Sequence, residues 1–132
     1  VAKEEAFWHV RRRFHFMPYV PTVFTSALNG EGITDLLTLA LDLFQERQRV
    51  TPHNELQRVL TEALMDNPPA STGRRHVSIR GIRQVDINPP TFVLNVNDTR
   101  VHFSYRRYLE NRLREAFDFR HTHLRLVFKR SK

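Results

Sequence analysis

Arginine is the residue type in this sequence with the clearest chemical capacity. Of the 21 Lys and Arg residues, 18 are Arg, whose planar guanidinium makes two parallel hydrogen bonds to a phosphate and stacks on bases. Residues 1–50 hold six Lys or Arg and six Asp or Glu, whereas residues 51–132 hold fifteen and eight, so the whole net charge of +7 lies in the second part. This asymmetry indicates a surface for a polyanion there, the other interpretation being a solvated arginine-rich surface.

The candidate phosphate-binding residues fall into three groups along the second part of the chain. They are Arg74, Arg75, Arg80 and Arg83 in or beside a predicted strand, Arg106, Arg107 and Arg114 on a predicted helix, and Lys129, Arg130 and Lys132 in the C-terminal tail. Acidic neighbours such as Glu110, Glu115 and Asp86 could neutralise part of this surface, and another part could dock on other domains. If the surface binds RNA, its affinity should fall steeply with salt and depend little on sequence.

Other chemistry finds little support in the residue spacing. His121 and His123 alternate on a predicted strand, but no Cys or paired carboxylate completes a ligand set, so no metal site is predicted. Tyr105 and Tyr108 could stack on bases, yet their helical spacing with neighbouring leucines favours packing in a core. Ser26 has no His and Asp at a spacing that indicates a catalytic triad. The sequence therefore predicts that this chain is not itself an enzyme.

Composition sets the broad class. Hydrophobic residues make up 40% and charged residues 27%, there is no Cys, and no apolar run approaches the roughly 20 residues of a membrane span. We therefore expect a cytoplasmic protein with no membrane partner and no disulfides. Because Val1 opens directly on a charged segment, we also expect the chain to be part of a longer protein.

The first part, residues 1–48, reads as an incomplete α/β unit. The pattern predicts a helix from Lys3 to Arg13, a strand over Val20–Thr25, a glycine-containing loop, and a second helix capped by Thr34. That second helix has a broad apolar face, which one strand and one helix are too small to bury. The missing partner is best explained by further strands of a longer polypeptide. This face carries Leu36, Leu37, Ala40, Leu41, Leu43 and Phe44.

The second part, residues 49–132, reads as an α+β domain with the order α-β-β-α-β. After the polar hinge at residues 47–49, Thr51 is a predicted N-cap and Pro52 the first helical residue. The alternation of the first strand slips at Gly81, as at a β-bulge, and Asn88-Pro89-Pro90 predicts a hairpin turn. Ser104 is predicted to cap the second helix. A three-stranded sheet with both helices on one face would bury all the apolar stripes.

Two long stretches point to a family. Asn88–Leu94 (NPPTFVL) and Ser104–Phe117 (SYRRYLENRLREAF) resemble the signature of the C-terminal domain of Der (EngA) GTPases. Upstream, Val23–Leu28 (VFTSAL) resembles the fifth G motif of the second GTPase domain of that family, and Gly30–Ile33 continues it. The resemblance covers essentially the whole chain. It implies that residues 1–48 are the end of a second GTPase domain and that residues 49–132 are a KH-like domain.

The resemblance also implies a function. Family members act in maturation of the large ribosomal subunit, so the expected partners are ribosomal RNA, the large subunit and the G domains of the same protein, with no DNA expected. The fifth motif, Ser26, Ala27 and Leu28, would contact the nucleotide, the Ala27 amide donating to the guanine carbonyl. GTP and Mg²⁺ belong to the full-length protein. This chain has no GxxxxGK motif followed by Ser or Thr, so no cofactor and no GTP hydrolysis are expected of it alone.

The sequence departs from a standard KH domain at one important place. KH modules clamp nucleotides with a GXXG loop, but the segment Asp98–Phe103 before the helix contains no glycine. RNA contact must then use the arginine surface. The alternative function is an intramolecular interaction module that docks between G domains and transmits their nucleotide state without binding RNA.

Overall fold

The computed structural model describes residues 2–70 and 76–131. Within them the chain forms helices α1 (Ala2–Arg13), α2 (Ile33–Arg47), α3 (His53–Asp66) and α4 (Phe103–Phe117), and strands β1 (Ile79–Asp86), β2 (Thr91–Val96) and β3 (Arg125–Arg130).

The second part of the chain is built on a three-stranded sheet in the order β1-β2-β3. Strand β1 pairs antiparallel with β2 through the predicted hairpin, and β2 pairs parallel with β3. A parallel pair needs a crossover, which α4 supplies. Both α3 and α4 bury their apolar stripes in one core with Phe92, Leu94 and Val96 of the central strand. The predicted α+β class and the α-β-β-α-β order are confirmed.

Helix α3 confirms its predicted core-facing stripe but not its predicted start. Leu56, Leu60 and Ala63 are buried, and fully burying an aliphatic side chain of leucine size stabilises a fold by about 1.5–3 kcal/mol. The prediction that Thr51 is the N-cap is wrong, because the helix begins at His53 and Pro52 occupies the cap position. Thr51 is 6% exposed, and its amide and hydroxyl both donate to Gln84 Oε1. The half-buried Gln84 of β1 thus takes the hydrogen bond that a helix cap would have used.

Strand β1 bends where the sequence predicts. Its register with β2 shifts between Ile79 and Gly81, which leaves Arg80 as the extra residue of a bulge. Gly81 allows a close approach, since a Cβ there would lie 3.3 Å from Gln57 Nε2. That same Nε2 donates to the Ile82 carbonyl at 2.8 Å. The bulge thus binds the start of the strand to α3.

Helix α4 begins two residues earlier than predicted. The prediction that Ser104 is its cap is wrong: His102 holds the cap position, and its Nδ1 accepts a hydrogen bond from the Ser104 amide at 3.1 Å. Ser104 lies inside the first turn, with its hydroxyl 2.7 Å from the same ring nitrogen. The imidazole therefore replaces the hydroxyl as the acceptor for the first free amides of the helix.

The first part contains the two predicted helices but not the predicted strand. The strand prediction for residues 20–25 is wrong, because they lie in no strand and no described strand lies beside them to complete a ladder. Thr34 is also not a cap, since α2 begins at Ile33 after Gly32, whose φ is 78°. A Cβ at Gly32 would overlap the carbonyl oxygen of Phe24. Only glycine fits this close return of the loop.

The apolar face of α2 is uncovered within the described residues. Leu36, Leu37, Leu41 and Phe44 are exposed, as is Trp8 of α1. The partner that the sequence predicts for this face is not among the described residues. The division of the chain between residues 48 and 49 stays a prediction.

The segment between α2 and α3 is fixed against the second part rather than acting as a hinge. Glu46, at the end of α2, is 5% exposed and accepts hydrogen bonds from the amides of His121 and Thr122 at 2.8 and 3.0 Å. Arg47 Nε donates to Asn88 Oδ1 at 2.7 Å. Arg49 Nη1 donates to the carbonyls at the end of α4, 2.8 Å from that of Phe117. The expected polar hinge is therefore a bonded junction.

Candidate nucleic-acid interface

The sheet has one face without helices, which we call the open face. Residues that pair across strands share a face, and Ile82 and Leu94 point to the helices. The next pair, Arg83 and Val93, therefore lies on the opposite side, together with the β3 partner Val127. The pairs Thr91–Arg125 and Asn95–Lys129 lie two residues to either side of Val93–Val127 along the strands. Because side chains alternate between the two faces, these pairs lie on that same side. The open face comprises Arg83, Thr91, Val93, Asn95, Arg125, Val127 and Lys129.

Three cations frame this face. The side chains of Arg83, Arg125 and Lys129 are exposed, and Val93 at the centre is 3% exposed. Within residues 2–70 and 76–131, none of the three cations lies within 4.0 Å of a carboxylate. Asp86, which pairs with Thr91 at the end of β1, accepts a hydrogen bond from the Ile87 amide. The open face therefore presents positive charge, while the apolar side chain of Val93 at its centre is covered.

Two further candidates lie at the rim of the sheet. Arg80 is exposed in the bulge of β1, where its Nη1 donates to Ser131 Oγ at 3.2 Å. Arg130 is exposed at the end of β3, paired in register with Val96. Arg80 lies on β1 and Arg130 on β3, so both add positive charge at the end of the sheet near Ser131, Arg130 on the side of core-facing Val96. Arg74, Arg75 and Lys132 lie outside the described residues.

Two of the three helix arginines are used by the fold. Arg114 was predicted to point outward, but its side chain is 12% exposed and its Nη1 donates to the carbonyls of Phe119 and Thr122 at 3.2 and 2.7 Å. Its Nη2 pairs with Glu110 at 2.9 Å. The correction follows from the return of the chain after α4, which places two carbonyls within reach of this guanidinium. Such a clamp leaves few donors for a phosphate.

Arg106 is held in a similar way at the other end of α4. Its Nε and Nη2 donate to the carbonyls of Val101 and Thr99 at 3.3 and 3.2 Å, and its guanidinium lies 4.6 Å from the ring centroid of Phe128. Arg107, by contrast, is exposed and lies 5.8 Å from the Phe103 ring. Of the three helix candidates, Arg107 has the accessible guanidinium.

One cation of the open face was absent from the sequence-based set. Arg125 alternates with the core-facing Leu124 and Leu126, as Lys129 does with Phe128. The period-two pattern alone places Arg125 and Lys129 on the same outward side.

The loop that resembles a fifth G motif forms a tight turn before α2. The Ser26 amide donates to the Glu31 carbonyl, and the Gly30 amide donates to the Ser26 carbonyl, both at 2.9 Å. Ala27 and Leu28 are exposed at its tip. The Lys3 ammonium hydrogen-bonds the Glu31 side chain at 2.6 Å, which lowers the pKa of that carboxyl. The loop is thus tied both to itself and to α1.

Three of the remaining aromatic and histidine candidates have structural partners. The ring Nδ1 of the fourth, His121, has no hydrogen-bond partner among the described residues and lies 3.5 Å from Glu46 Oε2. Tyr105 and Tyr108 donate their hydroxyls to the carbonyls of Asn67 and Ala63, both at 2.7 Å, which fixes α4 against the end of α3. His123 Nδ1 lies 3.1 Å from the Tyr19 hydroxyl. No three His, Asp or Glu side chains converge within the described ranges to form a metal-binding group. No helix in the described part of the chain is long and apolar enough to cross a membrane.

The loop that replaces a KH clamp is stabilised locally. Arg100 donates from its backbone amide, Nε and Nη2 to the Asp98 carboxylate, the closest of these contacts being 2.7 Å. The carboxylate closes the turn between β2 and α4, and the resulting loop contains no glycine. Nothing in its geometry reproduces a glycine clamp.

Comparisons with known proteins agree with this architecture. Residues 50–129 match the family model described as the KH-domain-like of EngA bacterial GTPase enzymes, C-terminal. The chain is 45% identical over 120 residues to the GTPase Der of Thermomicrobium roseum, covering 90% of this chain and 26% of that protein. It is 40% identical over 124 residues to the GTPase Der of Moorella thermoacetica, with coverages of 93% and 28%. The chain thus spans about a quarter of the length of these curated relatives.

Proposed function

This chain belongs to the family of KH-domain-like C-terminal domains of EngA bacterial GTPase enzymes, and we propose that it is the RNA-contacting, ribosome-directed end of such a protein. In this proposal the longer protein acts in assembly of the large ribosomal subunit, in the cytoplasm. The contribution of the chain is to hold that protein on ribosomal RNA. The observation that carries the proposal is the open face, where three exposed cations have no carboxylate within 4.0 Å among the described residues.

The chemistry of this face suits a phosphate backbone. The guanidinium groups of Arg83 and Arg125 each offer a planar fork to a phosphate, while Lys129 adds a point charge. Arg83 lies on β1, whereas Arg125 and Lys129 lie four residues apart on β3, with β2 between the two strands. With strands about 4.8 Å apart and a rise of about 3.3 Å per residue, the three cations lie about 10–13 Å from one another, so each would contact a separate phosphate. Because phosphate contacts position without reading bases, recognition would depend on RNA shape. Each phosphate neutralised would release counterions and make binding weaker at high salt.

GTP and Mg²⁺ enter the proposal only through the longer protein. Of this chain, the loop Ser26–Leu28 would contact the nucleotide, with the Ala27 amide donating to the guanine carbonyl. The exposed tip and the two hydrogen bonds that close the loop fit that role. Gly32 and α2 follow this loop directly, so nucleotide binding to the loop would affect their position.

The first test compares the chain with a charge-removed variant of the open face. Arg83, Arg125 and Lys129 are changed together to Gln, and binding to large-subunit ribosomal RNA is measured at one salt concentration near 0.15 M. Each exposed cation–phosphate contact contributes on the order of 1 kcal/mol, so the triple variant should bind at least tenfold more weakly. All three side chains are exposed, so the thermal unfolding of the variant should match that of the parent chain.

The matched control removes the same charge elsewhere. Arg12, Arg13 and Arg58 are exposed on α1 and α3, and their change to Gln lowers the net charge by the same amount. This control should retain most of the affinity. Equal losses in the two triple variants would mean that net charge alone drives binding and would remove the open face from the proposal.

A second candidate function is favoured by the junction after α2. The hydrogen bonds of Glu46, Arg47 and Arg49 join the first part of the chain to the second. A bonded junction of this kind suits a module that docks on G domains and transmits their nucleotide state without touching RNA. On that alternative the open face docks on protein, and its triple Gln variant would weaken association with the G domains while the parent chain shows no RNA affinity at physiological salt.

A further inference from the structure

A second surface with nucleic-acid chemistry lies away from the open face. A cavity of about 790 Å³ separates the segment that follows α1 from the outward side of α4. One wall carries His15, Phe16 and Tyr19, and the other carries Phe103, Arg107 and Asn111. Its volume falls within the roughly 300–1,000 Å³ of ligand-binding cavities, so a nucleotide can enter.

The rim of the cavity exposes two phenylalanine rings. The Phe16 side chain is 64% exposed and that of Phe103 is 69% exposed, one on each wall. The guanidinium of Arg107 lies 5.8 Å from the Phe103 ring centroid. An aromatic ring beside an accessible cation is the arrangement with which proteins stack an unpaired base and hold its adjacent phosphate.

The floor of the cavity is already ordered. The Arg114 guanidinium lies 4.0 Å from the ring centroid of Tyr19, and the Tyr19 hydroxyl bonds His123 Nδ1 at 3.1 Å. Because Arg114 is also held by the carbonyls of Phe119 and Thr122, the floor keeps its shape without a ligand. A preformed site loses less conformational entropy on binding.

Most acidic groups of the cavity are paired with arginines. Glu110 bonds Arg114 at 2.9 Å, and Asp118 bonds Arg120 at 2.7 Å, which lowers the pKa of Asp118. Among the described residues, Glu115 forms no such pair and neither does Arg107. A polar stripe of Arg107, Asn111 and Glu115 follows α4 at spacings of four residues, so successive members lie about one 5.4 Å turn apart.

We propose that this cavity binds one unpaired nucleobase of the RNA, stacked against Phe103 or Phe16, with its edge on Asn111 and Glu115 and a flanking phosphate on Arg107. This inference rests on the proposed RNA function and adds a preference for RNA with a base outside the helix. The amide and carboxylate offer both a donor and acceptors to a base edge. An apolar peptide side chain would leave the polar stripe unpaired, which disfavours a purely hydrophobic occupant.

The test uses the whole chain and two RNA hairpins that differ only in one bulged 2-aminopurine. Stacking on an aromatic side chain should make the bulged hairpin bind about tenfold more tightly than the fully paired hairpin. The 2-aminopurine fluorescence should change as the base moves from the RNA stack onto the protein. Phe16→Ala and Phe103→Ala should each reduce that preference and the fluorescence change. Both rings are exposed, so unfolding temperatures should be unchanged. Phe44→Ala, an exposed ring on α2 far along the chain from the cavity, is the matched control.

The outcomes separate this inference from the proposed function. Equal binding of both hairpins, unaffected by Phe16→Ala and Phe103→Ala but weakened by the triple Gln variant of the open face, would overturn the base site and leave the RNA function standing. Binding of a peptide but no base in the cavity would likewise overturn the base site and leave the RNA function standing. Absence of binding to either hairpin at low salt would overturn both the RNA function and the base site.

Discussion

The carboxylate of Glu46 accepts a hydrogen bond from the amide of Thr122, 76 residues later in the chain, and both residues are buried. This contact, together with that to the His121 amide, joins the end of α2 to the loop before β3. A charged acceptor serving two backbone donors is among the stronger hydrogen-bonding arrangements in proteins. The first and second parts of the chain are therefore connected by a specific bond and not only by sequence.

Replacing Glu46 with Ala should lower the free energy of unfolding by about 2–4 kcal/mol, because two buried amides lose their acceptor. Chemical denaturation followed by circular dichroism measures the change. Glu55→Ala on the exposed side of α3 is the control and should alter stability by less than about 0.5 kcal/mol. Equal effects of the two substitutions would mean that the junction contributes nothing to stability.

The two glycines before α2 should respond differently to alanine. Gly30 has φ 76° and open space around it. Gly30→Ala should therefore lower the free energy of unfolding only by the penalty of a left-handed alanine, about 1 kcal/mol. Gly32→Ala adds an overlap with the Phe24 carbonyl and should displace the start of α2. Hydrogen exchange of the Leu36 amide, which donates to the Gly32 carbonyl at 3.0 Å, reports that displacement. Similar exchange rates in the two variants would contradict the account.

Arg114 should tolerate lysine poorly, since its planar fork serves two carbonyls and a carboxylate at once. We expect Arg114→Lys to destabilise the chain by about 2–3 kcal/mol, and Arg107→Lys, at an exposed site, by less than about 0.5 kcal/mol. Thermal unfolding of the pair of variants gives the comparison. If both lysine variants unfold at the same temperature as the parent chain, the clamp assigned to Arg114 is wrong.

Tyr105 should limit stability at high pH. Burial, with a smaller effect of the nearby Tyr108, raises the pKa of Tyr105 to about 12 from its usual value near 10. The folded state favours the neutral phenol. The contribution of Tyr105 to the free energy of unfolding is therefore fully present below about pH 10 and is lost as pH rises through about 12. Tyr105→Phe should flatten the fall in stability between these values. Tyr19→Phe is the comparison, and identical pH profiles for Tyr105→Phe and the parent chain would contradict the assignment.

The secondary structure of the second part could be predicted because its signals are local. The apolar stripes of α3 and α4 and the slip at Gly81 depend on residues a few positions apart, and all of them are confirmed. The caps were misplaced because tertiary partners compete for the same donors. Thr51 bonds Gln84 instead of its own helix, and the His102 ring takes the place of the Ser104 hydroxyl.

The candidate site could be predicted only in part. Lys129 was a candidate as a residue of the C-terminal tail, although the alternation of β3 places both Lys129 and Arg125 on the open face. Sequence could not separate accessible arginines from structural ones on α4. The acceptors of Arg114 are created by the turn that follows the helix, and those of Arg106 by the loop that precedes it. The periodicity of a sequence predicts which side chains share a helix face. It does not predict which other chain segments pack against that face.

The most direct test of the account is the salt dependence of RNA binding by the chain and by its triple Gln variant at Arg83, Arg125 and Lys129. A logarithmic plot of the binding constant against salt has a slope of about −0.7 to −0.9 per phosphate contact. If the open face holds three phosphates, the variant should have a slope smaller in magnitude by about 2–3. Identical slopes, whatever the absolute affinities, would show that RNA does not contact these cations and would contradict the proposed function.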